Sequence, residues 1–201
     1  MTTWLRCIDG VDLTGKYRGR PVRVVGTARG AWEDLRAAPH PDSDIIAVKM
    51  SGLFLRNTTH WCGLHREAFA PLIPAQRYLM SKDGRIRADG VSTLPLKTIS
   101  HSWKKPAPGV QCTWFGDLAP DFSGCFATML ALTLGYSPVI LCGIPRDDSG
   151  HFYEPLDIPT ASYPVTNDSW YAIARAHAHE VFSMSGWTRD LFDEYRAKVQ
   201  A

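Results

Sequence analysis

Residues 123–153 read SGCFATMLALTLGYSPVILCGIPRDDSGHFY, and the order of patterns within them decides the fold class. The first half is apolar on every side, with Phe126, Met129, Leu130, Leu132 and Leu134 separated only by small residues and two threonines. A segment with no polar face predicts a helix buried between layers. Ser123 and Gly124 suit its start, Gly135 suits its end, and Pro138 blocks its continuation. Val139, Ile140, Leu141 and Cys142 then form a short apolar run without alternation, as an interior parallel strand does. That strand stops at Gly143, and a cluster of Pro, Arg, Asp, Ser, Gly, His and Tyr follows. Polar residues just past the carboxyl end of a parallel strand are where open α/β sheets hold ligands. Two readings fit this loop, half of a binding site or a solvated turn on an ordinary α/β core.

The same grammar recurs upstream. Residues 22–25 predict a strand that runs into Gly26, Thr27, Ala28, Arg29 and Gly30, and then into the helix-forming AWEDLRAA before Pro39. Strand, glycine-bearing turn and helix start together present backbone N–H groups to an anion, although the two glycines equally fit a tight turn. Their G-x-x-x-G spacing departs from the dinucleotide pattern G-x-G-x-x-G. The next strand, residues 45–48, ends on Lys49, a cation where a dinucleotide site places a carboxylate for the ribose. That argues against a dehydrogenase. It suits a phosphate beside the glycine turn, or a lysine simply reaching solvent.

In NTTHWCGLHRE, residues 57–67, the cluster of His60, Cys62 and His65 invites a metal ion. A strand sends His60 and Cys62 to one face and His65 to the other, so no metal site is expected. The preferred reading is a short strand, residues 61–64, delivering His65 to the same sheet edge as Gly26 and Lys49. There it bonds a ligand or caps the helix EAFAPLI. GVDLTGK, residues 10–16, resembles a phosphate-binding loop but has Tyr17 where the motif needs Ser or Thr, and reads as an amino-terminal arm or turn.

Residues 77–116 are irregular, with a DG turn and a segment carrying His101, Trp103, Lys104 and Lys105, and fit either a lid or hairpin insertion or a surface excursion. Residues 110–116 resume a strand-like run. The Pro-, Thr- and Ser-rich residues 154–167 read as a cover or loop. Asp168 is expected to cap a helix over residues 169–179, followed by a short strand over 181–183, a polar turn carrying Ser183 and Ser185, and an amphipathic helix over 188–198.

A chain of 201 residues with 45% hydrophobic and 21% charged residues fits one soluble domain with a substantial core. A net charge of +2 gives no strong nucleic-acid signal. Five cysteines without paired spacing fit a reducing cytoplasm, and no leader-like or membrane-spanning run is present in the sequence.

Taken in order, VRVVGTARGAWEDL, DIIAVKMSG, THWCGLH, SGCFATMLALTLGYSPVILCGIP with HFY, and VFSMSGWTRDLF resemble the sialyltransferase-like Rossmann group. That group includes bacterial lipooligosaccharide sialyltransferases and the 6-hydroxymethylpterin diphosphokinase-like family. The chain also looks like uncharacterised phage and prophage proteins of similar length. The resemblance implies an α/β fold, a single Rossmann-like domain with a mostly parallel sheet flanked by helices, and a nucleotide or nucleotide-sugar donor with or without Mg2+. It assigns nucleotide and phosphate contacts to Gly26–Gly30, Lys49, Ser123 with Gly124, and the segment from Gly143, Ile144 and Pro145 through Tyr153. Where relatives carry Asn and Asp, this chain has Lys49 and Pro145.

The expected activity is transfer from a nucleotide-type donor, with His151 as general base, Tyr153 bonding phosphate, His65 as a further catalytic candidate and Ser183 and Ser185 as binding residues at the same edge. The rivals are a module that binds or sequesters a nucleotide without chemistry, and a phage structural or assembly protein.

Overall fold

Strands made of aliphatic residues with no polar face can be buried on both sides, and here β3 and β7 are such strands in the interior of one sheet. The computed structural model describes residues 4–55, 57–65, 67, 71–72, 98–147, 150–154 and 167–200. The strands are β1 (Arg6–Cys7), β2 (Val22–Val25), β3 (Asp44–Val48), β4 (His60–Gly63), β5 (Ile99–Trp103), β6 (Cys112–Phe115), β7 (Val139–Cys142) and β8 (Val181–Ser183). The helices are α1 (Ala31–Ala37), α2 (Ser123–Leu134), α3 (Asp168–His177) and α4 (Gly186–Gln200).

Among the described residues, eight strands join one sheet in the order β1-β6-β5-β4-β3-β2-β7-β8, and of these only β1 runs antiparallel to its neighbour. The chain works outward from β2 to β6, then returns through α2 to open β7 on the other side of β2. The fold is therefore the expected α/β, Rossmann-like one, and its topological switch point lies between β2 and β7.

Alternation along the strands supplies two cores. Val22, Val24, Ile46, Val48, Val139 and Leu141 pack with Phe126, Met129 and Leu130 of α2 and with Trp170 and Phe192 of α3 and α4. Val25, Ile45, Ala47, Trp61 and Ile140 face the other way, toward Trp32 and Leu35 of α1. α2 touches the sheet and α3 at once, which is why it has no polar face.

The carboxyl end of α2 explains the phosphate-loop look-alike. Gly135 takes the left-handed conformation, φ 89°, and a Cβ there would lie 2.9 Å from Gly15 Cα. The amides of Gly15, Tyr17 and Gly19 donate to the carbonyls of Thr133, Leu134 and Gly135 at 2.9, 2.9 and 3.0 Å. The amino-terminal arm therefore satisfies the orphan carbonyls at the negative end of a helix, where an anion is unwelcome.

Several expectations are corrected. Residues 99–103 form a strand of the sheet, so that part of the supposed lid is core and His101 within it is buried, while the strand-like run expected over residues 110–116 is present as the strand at 112–115. Phe122, not Ser123, is the N-cap of α2, and Asn167, not Asp168, that of α3. α4 starts at Gly186, earlier than its apolar stripe suggested. The remainder of the expected lid, residues 77–97, the cover over 155–166 and most of the helix after His65 lie outside the described residues.

Candidate functional site at the carboxyl edge of the sheet

Because β2, β3, β4, β7 and β8 are parallel, Gly26, Lys49, Leu64, Gly143 and Met184 leave the sheet at one edge. His151 is brought to that edge by backbone pairing. Ala28 and His151 form an antiparallel bridge, Arg29 N donates to Gly150 O at 3.2 Å, and Phe152 N donates to Thr27 O at 2.9 Å. Ser123 joins them at the start of α2, its hydroxyl accepting from Leu64 N at 3.2 Å.

Thr27 Oγ1 lies 2.9 Å from His151 Nδ1. When Nδ1–H donates to the threonine, the lone pair stays on Nε2, the arrangement a general base requires. The Tyr153 ring stacks on the imidazole at 5.1 Å and 10° and is exposed, and burial, then the Glu154 charge, push its phenol up. Phe152 anchors the turn between Trp32 of α1 and Phe54 after β3, at 5.0 and 5.3 Å. Thus the His151 turn, the start of α1 and the segment beyond Lys49 form one cluster.

The switch point itself is filled by the protein. A Cβ on Gly26 would stand 2.2 Å from Gly143 O and 2.6 Å from the Ile144 side chain. A Cβ on Gly143, whose φ is +64°, would stand 2.4 Å from Ala31 Cβ, and one on Gly124 would stand 2.9 Å from Ile144 Cγ2. These glycines let strand, strand and helix approach one another. The Asp34 carboxylate of α1 accepts from Gly143 N at 2.8 Å and from Ser185 Oγ at 2.6 Å. Ser183 Oγ and Thr188 Oγ1 are 2.8 Å apart, and Thr188 Oγ1 donates to Ile144 O at 2.6 Å. Pro145 packs under Gly186, whose Cβ would meet it at 2.3 Å. Gly143, Ile144, Pro145, Ser183 and Ser185 are therefore brought together, but as internal structure. Gly30 differs: it is exposed, its φ is −74°, and nothing lies within 4 Å of a Cβ placed there.

On the other side of the switch point, Lys49 adopts φ 48° at the head of a 3-10 turn, residues Lys49–Leu53. Ser51 Oγ fixes that turn by donating to Val25 O at 2.7 Å and accepting from Val48 N at 2.8 Å. Burial pulls the Lys49 ammonium below its ordinary range, with Glu67 pushing the other way. His65 is exposed and lies 3.6 Å from Glu67 Oε1. Lys49 and His65 thus share the predicted edge at the ends of β3 and β4, whereas His151 pairs with the segment that follows β2.

His60 and Cys62 point into the core, away from His65, and among the described residues no three His, Cys, Asp or Glu side chains gather as a metal site. Four cysteines are buried and Cys7 half-buried, all as free thiols. No described helix is long and apolar enough to cross a membrane. Of two shallow grooves among the described residues, one of about 360 Å³ lies at the amino edge between Arg20 and Asp44, and the other, of about 390 Å³, runs beside Pro138, Ile140 and Phe182 to Ser183 and Met184.

Asp34 and Ser51 are edge residues that sequence reasoning missed. An acidic residue in a first helical turn is ordinary, so nothing local marks Asp34 as a partner of Gly143. Comparison of the chain with protein-family models, with curated proteins and with solved structures finds no match.

Proposed function

We propose that the chain is a nucleotide- or nucleotide-sugar-dependent transferase whose site lies at the carboxyl edge around His151, Thr27, Gly30 and Lys49. The observation that carries this reading is the 2.9 Å contact between Thr27 Oγ1 and His151 Nδ1 beside the β2–β7 switch point. His151 Nε2 takes the proton of an acceptor hydroxyl as that oxygen bonds to the transferred group, and the group's bond to the donor phosphate breaks, the phosphate leaving with the bonding pair. Lys49 is a cation at this edge that suits the growing phosphate charge. The exposed Gly30 leaves room for a ligand against the α1 start. Gly143 N, Ser183 and Ser185 have internal partners and are assigned no ligand contact in this reading.

The test is release of nucleoside mono- or diphosphate from a panel of nucleotide sugars, with and without sugar or lipid-like acceptors. Wild-type release that is abolished in His151→Ala, with donor binding retained, supports catalysis. The second reading, a binding module without chemistry, is favoured by one observation: the Asp34 carboxylate already holds the Gly143 amide that a diphosphate would take. Donor binding without turnover in the wild type would select it.

A further inference from the structure

The core beneath α2 contains a polar chain that the proposed reaction does not use. Trp114 Nε1 donates to His101 Nδ1 at 2.9 Å, and His101 Nε2 lies 3.0 Å from His60 Nδ1. His60 Nε2 lies 3.1 Å from Tyr136 Oη, which donates to Asp44 Oδ2 at 2.9 Å. Asp44 is held in turn by Arg20 Nη2 at 2.9 Å and by Thr59 Oγ1 at 3.2 Å.

Elementary donor and acceptor rules fix every proton in this chain. An indole N–H can only donate, so His101 Nδ1 accepts and its proton sits on Nε2. That proton points at His60 Nδ1, which must accept, placing the His60 proton on Nε2. Tyr136 then accepts from His60 and gives its own proton to a carboxylate, which can only accept. The order runs one way, from Trp114 to Asp44, and it closes only when both imidazoles are neutral. A second proton on either ring sets N–H against N–H between His60 and His101, or N–H against the Trp114 N–H, in a site where the Trp114, His101 and His60 side chains are fully buried.

The chain also carries the amino-terminal arm. Tyr17 stacks on Tyr136 at 4.8 Å and 12° and meets His60 edge-on at 5.0 Å, while Arg20 spans the Tyr17 ring and Asp44. Among the described residues, the groups facing His60 and His101 are Lys16, Tyr17 and Arg20 from the arm, Asp44 from β3, Cys62 from β4, Tyr136 after α2, and Cys112 and Trp114 from β6. The single carboxylate among them is compensated by Arg20.

We propose that the Trp114–His101–His60–Tyr136–Asp44 chain is an acid-sensitive latch that holds the amino-terminal arm on the end of α2 and lets it go when the two histidines protonate. Burial supports this direction, holding His60 down to about 4 and His101 well below the ordinary imidazole range. Opened into water, the rings regain their ordinary affinity for protons, so acid favours the undocked arm. The opening equilibrium rises about tenfold per pH unit for each proton taken up.

The experiment is amide hydrogen exchange followed by NMR on the whole chain between pH 7 and pH 4, with histidine ring nitrogens read in the same samples. The expected result is that the amides of Gly15, Tyr17 and Gly19 lose protection as pH falls while those of β2 and β7 keep theirs. At pH 7 both rings are expected to be neutral with the proton on Nε2. In His60→Gln/His101→Gln, whose amides can reproduce the donor order without titrating, the arm is expected to stay protected in acid. Three results would overturn the proposal: a proton on Nδ1 of either ring, arm and core amides opening together, or the double variant releasing its arm at the wild-type pH. The ring-nitrogen measurement decides the matter even if the double variant does not fold.

Discussion

Asp34 and Ser185 stand 151 residues apart in the chain and meet at 2.6 Å over the β2–β7 switch point, where the same carboxylate oxygen accepts the Gly143 amide. This contact closes with a side chain the crevice that other doubly wound sheets leave for a ligand. Asp34→Ala is expected to destabilise the fold by about 1–3 kcal/mol, because it strands a buried backbone N–H. Asp34→Asn, which keeps one acceptor oxygen, should lose less. Urea denaturation of both variants against wild type checks the order.

The glycines of the edge separate into two kinds. Gly26→Ala and Gly143→Ala force a Cβ into backbone or Ala31, at 2.2 and 2.4 Å, and each is expected to lose at least about 1–3 kcal/mol. Gly30→Ala meets open space and should change stability by less than about 0.5 kcal/mol. If a ligand lies against Gly30, the same variant weakens its binding without moving the melting temperature of the free protein.

His151→Ala is expected to reduce turnover by about 100- to 10,000-fold, the usual contribution of a positioned base, with donor affinity nearly unchanged. Thr27→Val keeps the shape but loses the hydroxyl that orients the ring. It should lower kcat by a smaller factor and alter the pH profile, whereas Thr27→Ser should restore both. Steady-state rates across pH, with KM and kcat separated, distinguish positioning from a loss of folding.

The buried histidines set the sign of the pH dependence of stability. The folded His60 value is lowered to about 4 by burial, against 6.5 when unfolded, so the unfolded chain binds more protons between those limits. Stability from this group is fully present above about pH 6.5 and is lost as pH falls toward about 4, amounting to about 3 kcal/mol. His101 acts in the same direction. Denaturation midpoints at pH 7, 6, 5 and 4 should fall monotonically, and less steeply in His60→Gln.

Much of the sheet was legible because its strands declare their burial. β3 and β7 are nearly continuous apolar runs ended by lysine and glycine, β2 is interrupted only by Arg23 before its glycine, and α2 lacks a polar face because it is covered on several sides. β5 was illegible for the opposite reason. Its sequence ISHSW reads as polar, yet Ser100, His101 and Ser102 are buried because Gln111, Trp114, His60 and Lys105 O satisfy them. Hydrogen-bond partners in other strands cannot be seen from a local pattern.

The edge was half legible for a related cause. Turn glycines mark where strands end, which placed Gly26, Lys49 and Gly143 together. Whether a glycine makes room for a ligand or for another strand depends on what approaches it, and at Gly26 and Gly143 that is the protein itself. The pairing of residues 27–29 with 150–152, which carries His151 to Thr27, crosses most of the chain and has no signature in either segment.

The most direct measurement is a thermal-shift screen of wild type and Lys49→Ala against nucleoside mono-, di- and triphosphates and nucleotide sugars, with and without magnesium. Stabilisation of about 2.7 kcal/mol is expected at ~100 times the dissociation constant. A nucleotide site at the carboxyl edge predicts a shift selective for one nucleotide class that is reduced in Lys49→Ala. A cooperatively melting wild-type protein that shifts with none of these ligands would contradict it.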